Sequence, residues 1–124
     1  FSDTVGYRGM MFTGVPNMAW IFGYFRASWT LRADLIADFV CRLLQHMDEL
    51  DASIVTPVLR DKDADMKLLP WLDSENFNPG YLTRSMHLLP SQGSNEPWCH
   101  SQDYWRDKEE LPIADLDDGA LVYD

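Results

Sequence analysis

The sequence predicts an α+β fold: short strands and one long amphipathic helix, followed by a largely irregular, aromatic-rich C-terminal arm. Three observations predict it. Apolar residues recur at helical spacing over 31–50, a longer stretch than anywhere else in the chain. Short β-branched or aromatic runs bounded by Gly, Pro and Asn stand on either side of it. The second half carries five of the seven prolines and no sustained period. The natural division is a unit over 1–60 and an acidic arm over 61–124.

In chain order, residues 1–9 mix Gly, Ser and Asp and read as a leading loop. Residues 10–13 form a short strand candidate, and Gly14-Val15-Pro16-Asn17 a turn. Residues 18–22 are a continuous apolar run with Trp20, Ile21 and Phe22, suited to a strand buried on both faces. The two strands make either a hairpin or part of a sheet whose other members lie outside the chain.

A helix follows over about 30–49. Leu31, Leu35, Ile36, Phe39, Val40, Leu43, Leu44, Met47 and Leu50 make its apolar stripe, with Arg32, Asp38, Arg42 and His46 largely off it. Leu35, Phe39, Val40, Leu43 and Met47 are expected to be buried. Ser28 or Thr30 caps the start, and Asp38 with Arg42 forms an i, i+4 pair. The width of the stripe calls for packing on two sides. Residues 53–59 are strand-like, with Pro57 marking an edge. Residues 60–67 are a charged link.

The arm is too aromatic for simple disorder, with Trp71, Phe77, Tyr81, Trp98, Tyr104, Trp105 and Tyr123 as candidate anchors. Within it, 81–89 is an apolar patch able to form a short helix. Asp117-Asp118-Gly119 reads as a turn into a terminal strand over 120–123.

Charge and composition exclude several function classes. The net charge is −10, and nearly all of it lies in the second half: −1 over 1–60 and −9 over 61–124. An acidic chain repels phosphate backbones, which argues against nucleic acid as a partner. No apolar run approaches the roughly 20 residues of a membrane span. Cys41, among apolar helix neighbours, reads as a buried thiol, and Cys99 lies in a polar loop. Two cysteines 58 positions apart are not a disulfide framework. A cytoplasmic setting is the default. His46, His87, His100 and Cys99 match no zinc spacing, so no metal is expected. No serine sits in a nucleophile-elbow context, and no catalytic residue is assigned within the chain.

The candidate site is the junction over 23–30, Gly-Tyr-Phe-Arg-Ala-Ser-Trp-Thr, between the apolar run and the helix. A strand, a Gly-centred turn and a helix opening with Ser and Thr present backbone N–H groups to a polar ligand. On its residues alone it reads as an ordinary capped helix after a β-turn.

Three blocks change that reading. The first is Tyr7-Arg8-Gly9-Met10-Met11-Phe12 with Gly14-Val15-Pro16-Asn17. The second is the junction with its helix. The third comprises Tyr81-Leu82-Thr83-Arg84-Ser85, Leu89-Pro90-Ser91-Gln92-Gly93, Pro97-Trp98, Gln102-Asp103-Tyr104 and Leu116-Asp117-Asp118-Gly119-Ala120-Leu121. Together, and in this order, they resemble the C-terminal region of FAD-dependent, NADPH-using monooxygenases of the flavin-containing and Baeyer–Villiger type. The bacterial branch with ethionamide-activating enzymes is the part of the family they are most similar to.

The resemblance implies that 1–60 is the end of an FAD-binding α/β domain and that the chain is a C-terminal piece of a flavoenzyme. It implies FAD and NADP as cofactors of the whole enzyme, and oxygen transfer from O₂ to a ketone or to a sulfur or nitrogen compound. It places Gly23, Tyr24, Ser28, Trp29 and Thr30 at the flavin: Gly23 for close approach, Ser28, Trp29 and Thr30 for N–H groups or hydroxyls, Tyr24 and Trp29 as walls. Core packing is the alternative for the two aromatics.

No Gly-x-Gly-x-x-Gly occurs in the chain, so the segment alone is expected to be inactive and to bind no FAD. Its partners are then the upstream FAD- and NADPH-binding regions and a small-molecule substrate. The opening Phe1 agrees with a piece of a longer chain. Isolated, it is expected to expose an apolar face and self-associate. The alternative reading is a stand-alone acidic α+β interaction module.

Overall fold

The computed structural model describes residues 1–73 and 79–124; the candidate anchor Phe77 lies outside them. Strand β1 (Gly6–Tyr7) pairs antiparallel with β2 (Met11–Phe12). Part of the expected leading loop is therefore strand, because Arg8 and Gly9 take positive φ and close a tight turn.

Residues 18–22 are not a strand, which corrects the sequence reading. Trp20 donates its N–H to the Met10 carbonyl at 2.6 Å, but the run joins none of the sheets among the described residues. Aromatic packing fixes it instead. Trp20 and Phe22 turn onto Trp71, with ring centroids 5.5 and 5.8 Å away. Ile21 is left 49% exposed.

Helix α1 (Trp29–Glu49) matches the expected helix within a residue at its start. Ile36, Phe39, Leu43 and Met47 are buried, while Leu35 and Val40 are partly buried against the same core. Leu44 and Leu50 are exposed. Two further expectations fail. Cys41 is exposed, on the side away from the core, so it is not a buried thiol. Arg32, which the pattern puts off the stripe, is 1% exposed. Arg42 turns to the arm, donating at 2.9 Å to the carbonyls of both Leu111 and Ala114. It thereby closes the end of the arm's last helical turn.

Strand β3 (Val55–Pro57) is the middle of the expected strand. It leads to a 3₁₀ turn at Asp61–Asp63 and to β4 (Leu68–Pro70). After α2 (Gly80–Ser85) and a 3₁₀ turn at Met86–Leu88, strand β5 (Ser91–Gly93) pairs antiparallel with β4. Helix α3 (Tyr104–Glu110) runs into a last 3₁₀ turn at Leu111–Ile113. Asp103 caps α3, its Oδ1 accepting from the N–H of Trp105 and Arg106. The expected terminal strand is β6 (Leu121–Tyr123), which pairs antiparallel with β3. Gly119 supplies the positive φ of the turn before it.

The arm does more than wrap a surface. One core cluster joins Tyr7, Phe39 and Leu43 to Trp98, Leu111 and Leu121. A second gathers Phe12, Phe22, Trp71 and Leu72. Trp71 and Trp98 are thus anchors, whereas Tyr81 and Trp105 are exposed. Trp71 and Trp98 are the two largest fully buried side chains among the described residues. Among the described residues no helix is long and apolar enough to cross a membrane.

Candidate functional site

The junction over 23–30 divides into an inner and an outer part. Gly23 and Tyr24 are buried, and 26–30 are exposed. Gly23 is explained by a neighbour within the chain. A Cβ there would lie 2.2 Å from the Trp29 ring, so only glycine lets the indole fold back over the turn. Trp29 packs edge-on to Phe22 with centroids 5.6 Å apart and keeps 47% of its surface exposed.

Tyr24 is 3% exposed, and its hydroxyl donates to Asp107 Oδ2 at 2.5 Å. Burial, then the hydrogen bond and charge of Asp107, raise its pKa well above the ordinary phenol value. It stays a neutral donor. Asp107 Oδ2 also receives Nη1 of Arg32 at 2.7 Å, and Oδ1 receives Ser101 Oγ at 3.2 Å. Nη2 of Arg32 donates to the Arg8 carbonyl at 2.8 Å. A buried ion pair thus ties the first turns of α1 to α3.

Within the outer part, Ser28 is the N-cap of α1, with extended φ and ψ. Its hydroxyl does not cap the helix; it lies 2.8 Å from Thr30 Oγ1. No acidic residue stands in the first turn. The N-terminal amides and their share of the helix dipole, about half a positive charge, therefore face outward unneutralised by any carboxylate of that turn. The donor set suits an electron-rich, partly anionic ligand edge, and the exposed Trp29 ring beside it suits a flat aromatic one. Ser28, Trp29 and Thr30 are thus brought together at the surface, while Gly23 and Tyr24 lie behind them.

His100 stands behind the same network. Its ring lies over Trp71 at 4.3 Å, and Nε2 is 3.0 Å from the Trp71 carbonyl. Burial first, and then the charge of Arg32, lower its pKa to about 4. The ring is neutral at pH 7, with Nε2–H donating. Its folded pKa lies below the unfolded one, so its contribution to stability is complete at neutral pH and is lost as pH falls from about 6.5 towards 4. Unfolding free energies from urea titrations at pH 7 and pH 5 should differ by about 2 kcal/mol through this group, a difference that His100→Gln removes. An unchanged slope in the variant would contradict this. Asp63, held down to about 2 by Arg60, acts in the same direction only below about pH 4.

Sequence reasoning missed Arg32, Asp107, Ser101 and His100. Arg32 and Asp107 look like solvated charges by type. Gln102 falls in a matched block, but nothing in the pattern gives it a partner. Among the described residues no three His, Cys, Asp or Glu side chains gather as metal ligands would.

Comparison with known proteins shows what the chain is similar to. Over nearly its whole length the chain is similar to FAD-containing monooxygenases, and it corresponds to a C-terminal segment of such proteins. It is 45% identical over 122 residues to the FAD-containing monooxygenase EthA of Mycobacterium tuberculosis, covering 98% of this chain and 24% of that protein. It is 37% identical over 123 residues to the probable FAD-binding monooxygenase AlmA of Acinetobacter baylyi, covering 99% and 24%. With the putative FAD-containing monooxygenase MymA of M. tuberculosis the identity is 37% over 121 residues, covering 98% and 24%. The chain therefore spans about a quarter of the length of the curated relatives it matches. No protein-family model matches the chain, and no solved structure does.

Proposed function

We propose that the chain closes the FAD site of a cytoplasmic, NADPH-using monooxygenase. That enzyme would transfer one oxygen atom from O₂ to a ketone or to a sulfur or nitrogen compound. The observation that carries this reading is the 45% identity to EthA over 98% of the chain. In it, residues 1–60 end the FAD-binding domain and 61–124 brace them. The N–H groups at 28–30 bind the pyrimidine edge of the flavin, where the reduced ring gathers negative charge. Trp29 lies against the ring or the substrate cavity and keeps water out. Gly23 and Tyr24 shape the turn from behind. Reduced flavin, when bound, supplies the electrons that activate O₂.

The rest of the cofactor site belongs to the upstream regions of the longer protein. The pyrophosphate needs a Gly-rich turn, and this chain has none. The surface for those regions includes Ile21 and an apolar hollow of about 230 Å³ lined by Met11, Met18, Val40, Leu43, Leu44 and Met47. Uncovered, it would make the isolated segment self-associate.

The test is to purify the segment and titrate it with FAD. The expected result is a colourless protein with no stoichiometric uptake, since the helix N-terminus alone contributes about 1–3 kcal/mol. Stoichiometric binding would overturn the division of the cofactor between this segment and the rest.

A further inference from the structure

The geometry points to Gln102 as the residue that positions the flavin-facing turn, an inference that rests on the flavin reading above. Its carboxamide spans the turn like a neighbouring strand would. Oε1 accepts the N–H of Phe25 at 2.9 Å, and Nε2 donates to the Gly23 carbonyl at 3.4 Å. A neutral planar amide offers both a donor and an acceptor in one plane. It therefore fixes the two peptide groups that flank Tyr24 at once.

Tyr24 is held from the other side by Asp107, and Asp107 by Arg32 and Ser101. The stretch from 101 to 107 thus grips residues 23–25 at three points. The grip adds directional hydrogen bonds to aromatic packing, in which Phe25 meets Phe22 edge-on at 5.3 Å and Tyr24 meets Tyr104 at 6.1 Å. Residues 18–22 form no strand, and the Ser28 hydroxyl does not cap α1. The Asp107 pair is buried and serves stability. Gln102 is exposed, so its contribution lies in where it holds the backbone. Shifting 23–25 shifts the amides at 28–30 relative to the flavin edge.

The test uses the full-length flavoprotein and reads the flavin midpoint potential beside the thermal midpoint. Gln102→Ala removes both bonds. Gln102→Glu keeps the acceptor but sets a carboxylate oxygen against the Gly23 carbonyl. Ser28→Asp places an anion at the helix N-terminus and tests the flavin placement itself. The expected result is a more negative potential in all three. In the Gln102 variants the reduced flavin should lose about ten-fold in relative stability, about 30 mV for a two-electron couple, with the thermal midpoint nearly unchanged. If Ser28→Asp shifts the potential and neither Gln102 variant does, the positioning role is wrong and the flavin placement stands. If Ser28→Asp leaves the potential unmoved, the placement falls, and the role of Gln102 with it.

Discussion

Asp107→Ala is expected to destabilise the protein by about 3–5 kcal/mol, the cost of leaving a buried guanidinium without its carboxylate. Arg32 is almost wholly buried, and its Nη1 sits 2.7 Å from Asp107. Removing the acid also strips Tyr24 and Ser101 of their acceptor. A domain with roughly 5–15 kcal/mol of stability would lose a large part of it. Arg32→Met should cost a similar amount by stranding Asp107. The double variant Arg32→Met with Asp107→Leu should recover much of the loss, because two charges then leave the interior together. The Arg32 Nε has no partner among the described residues, so the pair is not fully satisfied even in the native state. Urea unfolding followed by tryptophan fluorescence checks this. Single variants within about 1 kcal/mol of wild type would place the pair in solvent instead.

The second large effect is expected at Trp98. Trp98→Ala should cost about 3–5 kcal/mol, the range for deleting a large aromatic from a core. Trp98 is completely buried, meets Tyr7 edge-on at 5.9 Å, and donates Nε1–H to Asp63 Oδ2 at 2.8 Å. That carboxylate is also gripped by Nε and Nη2 of Arg60 at 2.7 and 3.0 Å. Trp98→Phe keeps most of the ring but loses the bond, and should cost about 1–3 kcal/mol. The gap between the two variants separates packing from hydrogen bonding. Equal losses would mean that the bond to Asp63 contributes most of what Trp98 does.

Helix α1 was legible because its stripe repeats over many turns, and its start and end follow to a residue. The pairing of β3 with β6 was not. Both strands could be read, but their registry joins residues more than 60 positions apart, and only packing selects it. The run over 18–22 misled because apolar β-branched and aromatic composition states burial, not hydrogen-bond partners. Trp20 and Phe22 are satisfied by an aromatic cluster with Trp71 in place of a sheet. At the site, Ser28, Trp29 and Thr30 were legible as a helix start. The Arg32–Asp107–Tyr24 network was invisible because charged residues 75 positions apart carry no local signal. Gly23 was read as room for a ligand, and the structure gives that room to Trp29.

The central claim is that the N-terminal turn of α1 lies against the flavin. A crystal structure of the full-length protein with FAD bound tests it most directly. The account predicts the pyrimidine edge of the isoalloxazine within hydrogen-bond reach, about 3 Å, of an amide at 28–30, with Trp29 in contact nearby. An isoalloxazine held wholly by other parts of the protein, with 28–30 open to solvent or buried against another surface, would contradict it.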